Sequence, residues 1–298
     1  MNLQIDIAPG VAYESPSQIV RTCTEAWGAA NFYCPACSRS SLAQTPANRK
    51  AVDYACDSCA SVFQLKSRAN LGDRVVDAAH SAMITAIRSD SVPNLFVLNY
   101  DALWRVRNLL LVPSFFFAES CVVARPPLSP NARRAGWIGC EIHLNRIAPE
   151  GKLWVVRESS VVSPSEVRRQ YETIRPLSQV AASARGWTLD VLNALHKIGR
   201  QEFTLDEAYA FEAELAVLHP NNNNVRPKIR QQLQVLRDAG LLEFVAPGKY
   251  RSDDLRSAYA HGRDSPPATR LAHVALRGSP SRRSRRRRVR RGRVLLAF

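Results

Sequence analysis

The 298-residue chain is 46% hydrophobic with a formal charge of +15, long and apolar enough for one large or two medium folded domains and basic enough to meet a polyanion. The charge is uneven: residues 252–298 hold 13 Arg against 3 Asp, a balance of +10, which leaves +5 for the first 251. No run approaches the roughly 20 apolar residues that span a bilayer, and MNLQIDIAPG has neither the basic start nor the apolar core of a secretory signal. A cytoplasmic chain with its seven cysteines reduced is expected, and membranes are excluded as partners.

In chain order, SPSQIVRTCTEAW predicts a helix behind a Ser15 or Ser17 cap. A cysteine-rich stretch follows. DRVVDAAHSAMITAIR predicts a second helix with an Ala-rich packing face, and NLFVLNY and NLLLVP predict buried strands. A helix crossing between strands is what a mixed α/β sheet requires. RPPLSPNARRAGWIGC is punctuated by Pro and Gly and predicts loop, and KLWVV resumes as a strand.

From about Ser183 the pattern becomes helical. GWTLDVLNALHKI and TLDEAYAFEAELAVL predict two amphipathic helices, and NNNNVRPKIRQQLQVLRDAG a third, capped by Asn224, with Pro227 in its first turn and Gly240 at its end. LLEFVAPGKYR adds two short strands about a Pro-Gly turn. Three helices and a hairpin make a winged helix-turn-helix. The chain thus divides into 1–182, 183–251 and a low-complexity basic tail, 252–298, which is expected to be disordered and to bind nucleic acid, if at all, by counterion release.

Cys34, Cys37, Cys56 and Cys59 form C-x2-C-x18-C-x2-C. Two tight knuckles with four thiolates favour tetrahedral Zn²⁺, and a closed sulfur shell leaves no place for a reacting water, so the zinc is expected to be structural. Cys23, Cys121 and Cys140 have no such spacing and are expected in the core.

The second knuckle is flanked by Asp53 and by SVFQLK, whose alternation places Val62, Gln64 and Lys66 on one strand face and Phe63 and Leu65 on the other. With AVDY as partner strand, the knuckle becomes the turn of a hairpin. Phosphodiester hydrolysis needs a hard cation and a group that steadies developing negative charge. Asp53, the Gln64 side chain and the Leu65 carbonyl are candidate Mg²⁺ ligands, and Lys66 is the candidate for orienting water and stabilising the transition state, the order of a PD-(D/E)xK nuclease core. On spacing alone, a solvated acid and lysine on an edge strand fit equally well.

Residues 1 to 251 resemble the DpnI-type restriction endonucleases through YCPAC, VDYACDSC, FQLKS, ARRAGWIGC, ASARGWTLDVLN, EFTL, KIRQQLQVLRD and GKYR in one order. The resemblance implies a zinc-containing nuclease domain followed by a winged helix, both contacting double-stranded DNA that carries N6-methyladenine in GATC. It departs at one position: where the family pattern has Glu, this chain has Gln64, an oxygen donor without charge.

Burying one methyl group contributes about 0.8 kcal/mol, roughly a fourfold preference, so reading the mark in two domains has a physical rationale. On the third helix Ile229, Leu233 and Leu236 form the core stripe and leave Lys228, Arg230, Gln231 and Gln234 outward, with Lys249 and Arg251 on the wing for phosphate. In the first domain Arg133 and Arg134 suit phosphate or guanine, and Trp137 offers a flat apolar surface for a methylated base or, equally, a core anchor. Glu25 on the first helix is expected to be an exposed carboxylate, with reach to the metal through water as the alternative, and His80 and His143 are expected to be structural. The function expected is a monomeric Mg²⁺-dependent endonuclease for methylated GATC, with a non-cutting reader on a decayed nuclease scaffold as the competitor.

Overall fold

The computed structural model describes residues 1–46 and 51–252. The basic tail, expected to be disordered, lies outside the described residues.

Helix α1 (Pro16–Asn31) starts behind Ser15, whose hydroxyl meets Ser17 instead of a backbone amide, and it buries Cys23, Thr24, Trp27 and Gly28. Strands β1 (Ala43–Gln44) and β2 (Tyr54–Ala55) lead into β3 (Val62–Arg68), with Tyr54 opposite Phe63 and Ala55 opposite Val62. The second knuckle is therefore the hairpin turn, as its sequence predicts.

Residues 73–88 depart from the expected single helix. They form β4 (Arg74–Ala79) and only then α2 (His80–Arg88). The strand is decided far away in sequence, by antiparallel pairing that sets Asp77 opposite Cys140; local Ala content favoured helix, and the distant ladder overrides it.

Strand β5 (Asn94–Tyr100) then runs parallel to β3, with Gln64 opposite Leu95 and Lys66 opposite Val97, and is buried almost throughout. Its continuous apolar run is that of a central strand covered on both faces. Strand β6 (Val106–Val112) returns antiparallel to it. Strands β7 (Val122–Ala124) and β8 (Gly139–His143) join β4 in a three-stranded second sheet, and β9 (Leu153–Arg157) and β10 (Ser160–Val161) complete the seven-stranded first sheet in the order β1-β2-β3-β5-β6-β9-β10. Helix α3 (Pro164–Ile174) follows, capped by Ser163.

Helix α4 (Ala182–Leu195) opens the winged helix, followed by β11 (Glu202–Thr204). The expected single helix of residues 204–218 is broken into α5 (Leu205–Tyr209), with a Thr204–Glu207 capping box, and α6 (Glu212–Leu218). Helix α7 (Val225–Asp238) has Asn224 at its cap position without a side-chain bond and ends at Gly240, whose φ of +76° suits a residue lacking a Cβ. Strands β12 (Leu242–Ala246) and β13 (Lys249–Ser252) form the wing, with β11 pairing against β13.

Candidate nuclease hairpin and DNA-facing surfaces

The hairpin is anchored from below by aromatic rings. Phe63 is fully buried and stacks on Phe96, which stacks on Phe32 at 4.3 Å, and Phe32 meets Tyr54 edge-on. The Tyr54 hydroxyl donates to the Glu25 carbonyl at 2.7 Å. Gly28 permits this approach, since a Cβ there would come within 2.4 Å of that hydroxyl. Ser67, on the same face of β3 as Phe63, donates to the Thr24 hydroxyl of α1 at 2.8 Å, so the opposite face is the one that carries Gln64 and Lys66.

The four sulfur atoms of Cys34, Cys37, Cys56 and Cys59 lie within 4.8 Å of one another, with Cys34 3.5 Å from Cys59 and Cys37 3.6 Å from Cys56. Zinc at about 2.3 Å from each sulfur needs separations of about 3.8 Å, so the cluster fits that ion. Each knuckle is closed by its own backbone bond, Cys34 N–H to Arg39 O and Cys56 N–H to Ser61 O. Arg39 and Asp57 join the knuckles, and Arg168 of α3 donates to the carbonyls of Cys34 and Arg39. Burial opposes ionisation of Cys37, but the Arg39 amide and the neighbouring thiols outweigh it and bring the thiol down to about 7, within reach of the thiolate a metal requires.

Beyond Tyr54 the partner strand ends, and the Leu65 amide would lack an acceptor. Asp53 supplies one: its Oδ2 accepts from Leu65 N–H at 2.7 Å. This bond fixes the carboxylate against β3, while Oδ1 has no hydrogen bond among the described residues. The Leu65 carbonyl points to the same strand edge as its amide, and the Gln64 amide group likewise has no hydrogen bond among the described residues. Hard oxygen donors without competing partners suit a hard divalent cation.

Glu25 is not simply an exposed helix carboxylate. It accepts from Arg21 at 2.6 Å, raising that guanidinium's pKa, and lines a small cavity of about 70 Å³ together with Arg21, Thr45 and Asp53. Lys66 has a partner that sequence reasoning missed: its Nζ lies 2.7 Å from Asp77 Oδ1 in an ion pair. The acid was concealed within the expected helix.

Of the proposed DNA contacts, Arg133 and Arg134 are exposed on the loop between β7 and β8. Trp137 is half-buried and lies over Gly139, where a Cβ would come within 2.8 Å of the indole. On α7, Ile229, Leu233 and Leu236 are fully buried, while Arg230, Gln231 and Gln234 face solvent and Lys228 donates to Gln231 at 2.9 Å. Lys249 is exposed on the wing. Arg251, expected to serve phosphate, is instead held by Glu202 and Glu243 at 2.7 and 3.0 Å. His143 faces Glu141 at 3.7 Å, and the His80 amide donates to the Ile138 carbonyl.

Helix α4 is tied to the preceding residues by Arg185 to Asp90 and by Ser120 to Asp190, and the turn that follows it by His196 to Glu150. No helix among the described residues is long and apolar enough to cross a membrane.

The arrangement is that of a mixed α/β nuclease-type core carrying a four-cysteine site and followed by a winged helix-turn-helix. A family model described as the Dam-replacing family matches residues 1–180, and one described as the Dam-replacing HTH domain matches residues 183–252. The chain belongs to this DpnI, Dam-replacing family, and with it to DNA-binding proteins of restriction systems.

Proposed function

We propose that the chain is a cytoplasmic, type II methyl-directed restriction endonuclease that hydrolyses double-stranded DNA at adenine-methylated GATC, with residues 1–182 cutting and residues 183–251 reading. The observation that supports this best is the bond that holds Asp53 against Leu65 on the strand that also carries Gln64 and Lys66, in a chain of a family named for replacing Dam.

Asp53, the Gln64 side-chain carbonyl and the Leu65 backbone carbonyl would hold Mg²⁺. When bound, that ion supplies Lewis-acid polarisation of the scissile phosphate and makes water more acidic. Asp53 contributes the negative charge of the donor set, and its bond to the Leu65 amide keeps it from swinging away. Lys66 places a cation where the phosphate gains charge and can hold the attacking water in line. Gln64 donates oxygen without charge, so metal affinity rests mainly on Asp53. Arg230, Gln231 and Gln234 on α7 and Lys228 at its start would present the donors and acceptors that read adenine, guanine and phosphate in a major groove; Arg133 and Arg134 would meet phosphate or guanine from the nuclease domain, Trp137 would offer a methylated base a flat apolar surface, and Lys249 would take phosphate from the wing.

The competing reading, a reader that binds without cutting, draws on Gln64 alone. A plasmid prepared with and without adenine methylation at GATC separates the two. Incubation with Mg²⁺ is expected to give fragments only from the methylated plasmid; methyl-selective gel shifts with no fragments at any Mg²⁺ concentration would establish the reader instead.

A further inference from the structure

We propose that Asp77 is a positioning residue for Lys66, an inference that rests on the nuclease reading of the hairpin. The Asp77 side chain is 5% exposed against 29% for Lys66, and among the described residues its Oδ1 meets the Lys66 ammonium and no other partner. A buried carboxylate oxygen with a single cationic partner is costly to leave alone, so the pairing is specific.

The two groups come from different sheets. Lys66 is on β3 and Asp77 on β4, and the short connection between them is pinned at both ends. The Arg68 guanidinium donates to the Arg74 carbonyl, and the Asn99 amide donates to the Ala69 carbonyl at 2.8 Å, itself oriented by Asn108 at 3.0 Å. Opposite Asp77 in the ladder stands Cys140, fully buried, so one flank of the pair is apolar.

Lysine is a point charge on four rotatable bonds. A catalytic cation that wanders among rotamers loses most of its effect, because the gain from proximity depends on geometry held before the reaction. Asp77 restricts that search. An ammonium carries three protons, so one directed at Asp77 leaves two for water or phosphate, and the tether does not consume the group it holds. Asp77 itself need not touch DNA or metal for this role.

The test has a structural arm and a kinetic arm. The chain contains only six lysines, so the ¹⁵N-lysine ammonium spectrum of the full-length protein is tractable; the Lys66 signal is assigned by its loss in Lys66→Met. It is expected to broaden or move in Asp77→Asn, and an unmoved signal overturns the proposal. In the digest, Asp77→Asn is expected to lower kcat about 10- to 100-fold with KM for DNA within about twofold, and Asp77→Glu to recover part of the loss. Unchanged kcat overturns it.

A merely structural role is distinguished by a double-mutant cycle on thermal stability. Asp77→Asn is expected to destabilise the wild type more than it does Lys66→Met, where the lysine is already gone; equal effects in both backgrounds overturn the proposal. Should the wild type bind methylated DNA without cutting it, the nuclease reading fails, and the ammonium spectrum still decides whether Asp77 fixes Lys66.

Discussion

Strand β3 and helix α7 each present polar side chains from a buried back, yet their backs are built differently. Behind the polar face of α7 lie Ile229, Leu233 and Leu236, all fully buried, and one buried polar pin, Thr188 to Gln232 at 2.7 Å. Apolar packing from a regular period holds it. Behind Gln64 and Lys66 there is an aromatic stack, but the partner strand β2 has only two residues, too little ladder to fix an edge. There the cysteine cluster and the Asp53–Leu65 bond replace the missing strand. The polar face of α7 rests on the helix's own periodicity, whereas the hairpin depends on tertiary clamps.

The largest effect that would break this contrast is loss of the four-cysteine site's capacity to hold zinc. A structural zinc site contributes on the order of 10 kcal/mol to folding in small domains, so Cys34→Ser is expected to lose bound zinc and to abolish cleavage. Hydrogen exchange should show β2 and β3 opening well before α7. Equal loss of protection in both regions would mean that the hairpin and α7 unfold as one unit.

Next in size is the reciprocal change. Leu233→Ala leaves a cavity behind α7 and is expected to cost about 2–5 kcal/mol, measured by denaturant unfolding. Zinc content should stay at the wild-type value and DNA binding should weaken. Zinc loss in this variant would place α7 within the hairpin's support.

A smaller change sharpens the hairpin itself. Gln64→Glu adds a charge to the donor set without altering its shape, and is expected to keep cleavage while lowering the Mg²⁺ concentration for half-maximal rate by about tenfold, from one added charge-assisted contact. Complete loss of activity would show that the neutral amide has a role of its own. Lys66→Ala, by contrast, is expected to abolish cleavage and spare binding.

The same contrast explains what the sequence made legible. The four-cysteine cluster, the hairpin that carries Asp53, Gln64 and Lys66, and the buried stripe of α7 rest on local patterns, each complete within a few residues or in repeated spacing, and the structure brings each of these elements together. Asp77 was out of reach. VVDAAH carries no strand signal strong enough to overcome the helical run that follows it, and only pairing with β8, more than sixty residues on, makes it a strand. The break at Ala210–Phe211 between α5 and α6 was hidden in the same way by a continuous helical pattern. Arg251 shows the third limit: the sequence marks it as a basic wing residue but does not show the carboxylates of Glu202 and Glu243 that the sheet places beside it.

The smallest predicted effect follows from that last point and separates two cations on one strand. Lys249 is exposed, while Arg251 donates to Glu202 and Glu243 on the flanking strands, and those bonds raise its pKa so that it remains charged yet already engaged. A cation that releases no counterion on binding adds nothing to the salt dependence of DNA affinity. Lys249→Gln is therefore expected to reduce the slope of log affinity against log salt by about 1, and Arg251→Gln to leave it unchanged. If the two variants lower the slope equally, Arg251 has exchanged its carboxylates for phosphate, and the ion pairs that close the wing in the free protein open when DNA is bound.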